Sequence, residues 1–153
     1  SCRADHADAI TSNSSIKFFL GEDKIADLKV LNKGEVTVAD DSGYIAFQRP
    51  TKTPFFGDKQ YMHGRTFEEC FIYENIESFK DDHMQCGIAI DTDPNLVREN
   101  VYQRVKSSTF KKTDFALDMA STTIDWKTPT YIADGLKWLS GKLDVAPVAV
   151  EDN

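Results

Sequence analysis

Two adjacent glutamates, Glu68 and Glu69, lie inside the apolar, aromatic-rich run "RTFEECFIYEN" at residues 65–75. Burial of an unpaired carboxylate costs several kcal/mol, so any fold that packs this run must give each glutamate a partner. Thr66 is a good N-cap residue, and Glu69 follows it by three residues. This spacing predicts a capping box in which the Glu69 side chain reaches back to the Thr66 amide. The run is therefore predicted to be a helix over 67–75, and capping accounts for Glu69.

Glu68 is the glutamate that capping does not explain. Its neighbours form an apolar stripe that leaves little of the helix surface for water. In one interpretation, Glu68 is stabilised by the positive end of the helix dipole or pairs with Arg65. In the other, it binds a divalent metal, because Mg²⁺ and Mn²⁺ take carboxylate oxygens and share such sites with water and phosphate.

Lys111 and Lys112 present the opposite problem. They stand immediately before Thr113, which is predicted to cap the next helix, and a cation is disfavoured at this end of a helix. A bound phosphate would reverse that penalty, and a lysine there would stabilise the charge that develops in phosphoryl transfer. Solvated loop lysines are the alternative interpretation.

Basic residues concentrate in "VRENVYQRVKSSTFKK", residues 97–112, which carries a local charge of +4 within a chain of net charge −7. The overall charge argues against bulk attraction to nucleic acid, but this stretch is a candidate surface for it. Beside Lys112, its candidate nucleic-acid-binding residues are Arg98, Arg104, Lys106 and Lys111. A solvated helix face explains the same pattern.

The three cysteines, Cys2, Cys70 and Cys86, form no C-x-x-C pair, and Cys70 lies in the apolar run, where a reduced thiol packs as a small hydrophobe. This pattern favours a reducing, cytoplasmic location. A zinc site formed by Cys2 and His6 with His83 and Cys86 is an alternative, since both pairs have suitable local spacing.

Asp91 and Asp93 form a D-x-D pair after an apolar stretch, a pattern that presents two carboxylates to a metal from a strand end. Pro94 favours the other interpretation, in which Asp93 caps the following helix and Pro94 is its first residue. The sequence contains neither a phosphate-binding P-loop nor a G-x-G-x-x-G motif, so nucleotide binding by this chain alone has no support.

With 41% apolar residues and no apolar run of about 20 residues, the chain is expected to form one folded unit over 1–143 with a tail at 144–153. The predicted class is helix-rich α/β with few strands.

A strand is predicted over 43–50, and a loop or short hairpin over 51–64. A short helix is predicted within 11–20, with Thr11, Ser12 or Asn13 as its N-cap. Further helices are predicted over 22–31, 67–75 and 94–106, from Thr113 as N-cap, and from Thr128 as N-cap with Pro129 as first residue. Their expected core-facing residues include Phe18, Leu96, Val97, Val101, Val105, Tyr131, Ile132, Leu136 and Leu139.

Five segments in order resemble one family. They are "TSNSSIKFFL", "GYIAFQRP", "GRTFEECFIYEN", "KKTDFALDM" and "TPTYIADGLKWL". Over about residues 11–140, the chain resembles the C-terminal part of the TOPRIM nuclease domain in OLD (overcoming lysogenization defect) family endonucleases, which include the nuclease subunit of Gabija anti-phage systems. The resemblance implies a helix-rich portion of a TOPRIM-like domain.

Members of this family join an N-terminal ABC-type ATPase to TOPRIM, where acidic residues hold two divalent metals and a lysine assists phosphodiester cleavage. The resemblance implies that Glu68, in the R-T-F-E motif, is a metal ligand and that Lys112, before T-D-F, is catalytic. The family's leading glutamate and D-x-D would precede Ser1, and Asp91 and Asp93 stand in the wrong order to replace them.

We therefore expect part of a DNA endonuclease that uses Mg²⁺ or Mn²⁺, is inactive as this chain alone, and responds to ATP only through an ATPase domain outside it. The implied partners are DNA, further copies of the full-length protein and a helicase, without a membrane. Two alternatives remain open. One is a non-catalytic protein-interaction module, and the other is a zinc-stabilised nucleic-acid-binding domain that uses residues 97–112.

Overall fold

A computed structural model describes residues 13–20, 35–38, 41–57, 61–80 and 86–143 of the chain. This part of the protein is mixed α/β and rich in helix. Its elements are α1 (Ser14–Leu20), β1 (Glu35–Val38), β2 (Asp41–Tyr44), β3 (Thr51–Lys52), β4 (Tyr61–Met62), α2 (Phe67–Glu74), α3 (Pro94–Lys106), α4 (Lys112–Ser121) and α5 (Thr130–Leu143), with 3₁₀ turns at Pro54–Phe56 and Ile76–Phe79. The helix predicted at 22–31 and the tail predicted at 144–153 lie outside the described residues.

Two small antiparallel sheets precede the main helices. β1 pairs with β2, with Glu35 opposite Tyr44, and β3 pairs with β4, with Thr51 opposite Met62. The second pair confirms the short hairpin predicted within 51–64.

The strand predicted over 43–50 is wrong in its position. The ladder with β1 covers Asp41–Tyr44, and residues 45–50 have no regular secondary structure. This segment instead contacts other parts of the fold, since the Gln48 carbonyl bonds His63 at 3.1 Å. Its β-compatible composition therefore reflects packing, because a strand requires a partner strand as well as suitable residues.

The core lies where α2 packs against α3 and α4. Phe71 of α2 meets Phe115 of α4 edge to face at a centroid distance of 5.9 Å, and Phe79 stacks on the same ring. From α3, Val97 and Val101 are fully buried, as predicted. Aromatic pairs in these geometries stabilise a core beyond their buried area. This packing fixes the starts of α2 and α4 side by side.

Close backbone approach holds the second hairpin against α2. A Cβ at Gly64 would lie 2.5 Å from the Cys70 amide nitrogen and 2.9 Å from its Cα. Because backbone atoms cannot give way as a side chain can, glycine is the residue that fits this position. The segment that enters α2 is thereby seated directly on the helix.

Several predicted helix starts are confirmed by their capping bonds. The Asn13 side chain accepts from the Ile16 amide at 3.0 Å, and Asn13 is one of three caps proposed for α1. Asp93 accepts from the Asn95 amide at 2.8 Å, so it caps α3 as its pairing with Pro94 predicts. At α5, the helix begins at Thr130, and Pro129 provides the first accepting carbonyl rather than the first helical residue.

The predicted core-facing stripes are only partly buried. Phe18 of α1 is 76% exposed and Leu96 of α3 is 50% exposed. In α5, every residue is half-buried or exposed, including Leu136 at 59%. The prediction that Phe18 and Leu96 face the core is therefore wrong, because periodicity marks an apolar side of a helix without specifying what covers that side. Among the described residues, no helix is both long and apolar enough to cross a membrane.

Candidate functional site

Glu68 and Lys112, which are 44 residues apart in sequence, meet where α2 and α4 begin. The Lys112 ammonium nitrogen lies 3.1 Å from Glu68 Oε1 and 3.3 Å from Glu68 Oε2. The ammonium group therefore faces both carboxylate oxygens. The aromatic core beneath the two helices places these residues together, with Phe71 following Glu68 and Phe115 following Lys112 by one turn.

The pair is asymmetric in its exposure. The Glu68 side chain is 7% exposed, whereas the Lys112 side chain is 67% exposed. A carboxylate at this depth must be compensated, and the ammonium group provides an opposite charge while its stem remains in solvent. Glu68 is thus a buried acid whose ion-pair partner, Lys112, is exposed to solvent.

Several groups together lower the pKa of Glu68 below its ordinary value. Burial alone acts in the opposite direction and raises the pKa, but it is outweighed by the backbone amide of Glu68, by Lys112 and by the Thr66 hydroxyl. Each of these favours the charged form. Glu68 is therefore a carboxylate at neutral pH.

The predicted N-cap at Thr113 is wrong. α4 begins at Lys112, and Lys111 occupies the N-cap position, where its ammonium donates to the Ser108 carbonyl at 3.1 Å. Lys112 thus adds a positive charge to the electropositive end of a helix. The Glu68 carboxylate offsets the unfavourable position of the Lys112 charge, and the Lys112 ammonium group compensates the burial of the Glu68 carboxylate.

Glu69 uses a different set of partners from its neighbour. Its amide donates to the Thr66 hydroxyl at 3.2 Å, as the capping box predicts. The returning carboxylate, however, accepts from the Arg65 amide at 3.0 Å, not from the Thr66 amide, and also from the Arg65 guanidinium at 3.3 Å. Arg65 therefore pairs with Glu69 and leaves Glu68 to Lys112. The Arg65 guanidinium also stacks 3.6 Å from the Tyr102 ring centroid.

Tyr131 of α5 is a neighbour that sequence patterns did not single out. Its pKa is raised to about 12, first by burial and then by Cys70, with smaller contributions from the Glu68 and Glu74 carboxylates, while a hydrogen bond to Gln48 lowers it. A raised pKa keeps the phenol protonated at neutral pH. Its only signal in the sequence was membership of an apolar helical stripe, which gives no information about Glu68.

The basic residues of 97–112 are engaged to different degrees. Arg98 donates to the Tyr61 carbonyl at 2.8 Å, and Arg104 donates to the Cys86 carbonyl at 2.7 Å. Both guanidinium groups thus tie α3 to neighbouring backbone. Lys106 is exposed and reaches the Tyr102 hydroxyl at 3.3 Å, and Lys111 is also exposed. Among the basic residues of 97–112, the ones most accessible to a polyanion are therefore Lys106, Lys111 and Lys112.

A polar pocket of about 320 Å³ lies beside α4. Its lining residues are Cys86, Arg104, Thr109, Phe110, Lys111, Asp114, Phe115 and Asp118. The cavity is thus lined by two acidic side chains, Asp114 and Asp118, and two basic side chains, Arg104 and Lys111, so positive and negative charges are balanced there. Phe110, the aromatic residue just before the two lysines, packs in the core at 8% exposure.

The described residues do not contain a group of three or more His, Cys, Asp or Glu side chains placed to hold a metal ion. At Glu68 they supply one carboxylate, and that carboxylate faces an ammonium group. Asp91 accepts from the Asp93 amide at 2.9 Å, so the D-x-D pair builds the turn before α3.

Of the zinc ligands considered, Cys2, His6 and His83 lie outside the described residues. Cys86 is buried, and burial raises the pKa of its thiol, which favours the protonated form over the thiolate that binds zinc. The described part of the chain therefore adds no support to the zinc alternative.

Comparison with known proteins gives no match to a family model, to a curated protein or to a solved structure.

Proposed function

We propose that this chain is part of a divalent-metal-dependent DNA endonuclease of the OLD and TOPRIM type, in which Glu68 binds a metal ion and Lys112 contacts the phosphate. The observation that carries this proposal is the 3.1 Å contact between Lys112 and Glu68. The resemblance selects the same two residues from motifs 44 positions apart. A metal ligand and a phosphate-binding lysine must be neighbours to act on one phosphodiester.

The exposure of Lys112 makes it accessible to a large substrate. Lys112 is two-thirds exposed, and exposed Lys106 and Lys111 belong to the same basic stretch. DNA phosphates attract such a group of lysines because the association releases condensed counterions. We place Lys111 and Lys106 as outer phosphate contacts, with Arg104 and Arg98 as supporting charges already bonded to backbone carbonyls.

The proposal requires ligands in addition to those described. Two-metal hydrolysis uses ions about 3.5–4 Å apart, which one carboxylate cannot hold. Under this proposal, the remaining acidic ligands come from outside the described part of the chain. The described residues do not form the metal site by themselves.

A non-catalytic protein-interaction module is the second candidate, and the surface of α5 favours it. Leu136 and Leu139 are 59% and 48% exposed, and they line an apolar groove of about 390 Å³ with Tyr44 and Trp138. Exposed apolar surface of this kind is typical of association sites. In this function, the Glu68–Lys112 pair would be a structural ion pair.

Cleavage of DNA by a longer protein that carries this chain tests the first candidate. Glu68→Gln preserves the shape of the side chain and removes its charge. We expect it to lower Mn²⁺-dependent nicking of supercoiled DNA by on the order of 100-fold, with binding to DNA retained.

Glu77→Gln is the matched control, because Glu77 is an exposed glutamate of the same region that pairs with Lys80 at the surface. It should cleave at the wild-type rate. Wild-type cleavage by Glu68→Gln would refute the metal assignment and leave the interaction module as the better account.

A further inference from the structure

The polar cavity of about 320 Å³ beside α4 carries charges of both signs on separate side chains. Asp114 and Asp118 lie one turn apart on the same face of α4, and Arg104 and Lys111 line the cavity with them. Cavities that bind small molecules in proteins have volumes of about 300–1,000 Å³, so this one has room for a ligand at the small end of that range.

The four charged groups of the cavity do not pair with one another. Within the part of the chain that the structure describes, none of them takes part in an ion pair, and neither carboxylate accepts a hydrogen bond. Like charges at the spacing of Asp114 and Asp118 repel each other on a helix. The positive end of α4 favours Asp114 in the first turn but not Asp118 in the next. Opposite charges thus share a cavity without neutralising each other.

The basic side of the cavity is held in position and keeps hydrogen-bond donors for a ligand. Arg104 Nε donates to the Cys86 carbonyl at 2.7 Å. Its Nη1 donates to the Ser107 and Thr109 hydroxyls at 3.1 and 3.0 Å, and its Nη2 donates to none of the described residues. The Lys111 ammonium group donates to one backbone carbonyl and has two further N–H donors. A carboxylate is the ligand group that suits such donors.

The buried residues that line the cavity are apolar. Phe110 and Phe115 are both buried, and their ring centroids lie 5.5 Å apart. Burial raises the pKa of the Cys86 thiol, which the nearby Arg104 charge lowers and the Asp118 charge raises. Charges of both signs therefore lie close to this apolar surface, because such electrostatic effects weaken with distance.

We propose that the cavity binds a small zwitterion, with its ammonium group against Asp114 and Asp118 and its carboxylate against Arg104 and Lys111. Such a ligand gives a partner to the acidic side chains and to the basic ones. A diamine would bring a second ammonium group to the basic residues, and a dicarboxylate would bring a second carboxylate to the acidic residues. Because like charges repel, the cavity selects a ligand whose two ends carry opposite charges.

A titration of the 153-residue chain with ligands of matched length tests this selection. The probes 4-aminobutanoate, putrescine and succinate have the same number of carbon atoms and differ in the charges at their ends. The readout is the shift of the backbone amide NMR signals from Thr109 to Asp118. We expect 4-aminobutanoate to bind with a Kd on the order of tenfold lower than either other probe. Glycine and 6-aminohexanoate vary the separation between the two charges.

Two substitutions remove one charge of each sign from the cavity. Asp118→Asn should raise the Kd of 4-aminobutanoate on the order of fivefold and reduce the discrimination against succinate. Lys111→Met should raise the same Kd by a similar factor and reduce the discrimination against putrescine. Asp125→Asn and Lys137→Met are the matched controls, because both residues are exposed and lie outside the cavity. They should bind with the wild-type Kd.

Equal Kd values for 4-aminobutanoate, putrescine and succinate would overturn the proposal. So would an absence of saturable shifts with all three amino acids, or losses in the two control variants as large as those in the two cavity variants. Neither Glu68 nor Lys112 lines the cavity, and the titration contains no DNA. The result is therefore independent of the nuclease proposal.

Discussion

At the scale of single residues, Glu68 and Glu69 show how neighbours in one helical turn acquire separate functions. Glu69 accepts from the amide and guanidinium of Arg65, while Glu68 faces Lys112 from another helix. Local spacing was sufficient to predict that the Thr66 hydroxyl accepts from the Glu69 amide, because these residues are only three positions apart. It placed the Glu69 carboxylate on the Thr66 amide, whereas that carboxylate accepts from the Arg65 amide. It was not sufficient to find the partner of Glu68, since that contact depends on how α2 and α4 pack.

The lowered pKa of Glu68 makes its contribution to stability depend on pH. Because the folded pKa is below the usual value of 4.5, the charged form is favoured in the folded state. This contribution is fully present above the unfolded pKa and is lost as pH falls through the folded pKa. Glu68→Gln should therefore lower the free energy of unfolding by about 1 kcal/mol at pH 7 and by progressively less below pH 4.5.

Urea denaturation of wild type and Glu68→Gln between pH 7 and pH 3 measures this effect. In a Lys112→Met background, the difference at pH 7 should be smaller, because the ion pair is already absent. If the free energies of unfolding of wild type and Glu68→Gln differed by the same amount at pH 3 as at pH 7, the lowered pKa of Glu68 would not be the cause.

At the scale of elements, the C-terminal end of α2 holds the start of α5. The Thr130 amide and hydroxyl donate to the Glu74 carboxylate at 3.0 and 2.7 Å. The buried Asn75 side chain accepts from the Lys127 amide and donates to the Lys127 carbonyl. A carboxylate from one helix thus caps another, where the sequence predicted Thr128 as the cap. Local spacing cannot reveal such a long-range cap.

Glu74→Gln should loosen the attachment of α5. The substitution replaces a charged acceptor with a neutral one and removes the 3.0 Å ion pair with Lys127. We expect a loss of about 1–2 kcal/mol at this junction. Amide hydrogen exchange should become on the order of tenfold faster in the first turns of α5, with a smaller change in α2.

Glu77→Gln is the control for this experiment, since its carboxylate is exposed and bonds Lys80 within the same turn. It should leave α5 exchange unchanged. If Glu74→Gln also left exchange in α5 unchanged, the junction would not depend on this carboxylate.

At the scale of the whole molecule, the helix-rich class, the hairpin and most helix starts could be predicted because they rest on local patterns. The strand over 43–50 could not be placed, because a strand is defined by its partner, and the ladder with β1 stops at Tyr44. The apolar side of α5 was correctly identified from periodicity, but its burial was not. Leu136 and Trp138 line an open groove, and nothing in a 3.6-residue period states what covers a face.

In the candidate site too, local patterns identify individual residues but not their contacts. Charge and position in the sequence marked Glu68 as an acid in an apolar run and Lys112 as a cation at a helix start. Their contact requires the Phe71–Phe115 packing that brings two helices together across 44 residues, which no local spacing encodes. Arg104 illustrates the converse, because its charge suggested DNA contact whereas its guanidinium bonds Cys86.

Under the proposed function, Lys112 acts in cleavage of DNA, and basic charge in general is not sufficient. This is tested by the single-turnover rate of Mn²⁺-dependent DNA cleavage by a longer protein that carries this chain, with saturating enzyme, for Lys112→Ala against Lys111→Ala. Saturation removes differences in DNA affinity from the comparison. We predict a rate on the order of 100-fold below wild type for Lys112→Ala and near wild type for Lys111→Ala. Equal rates for the two variants would contradict the claim.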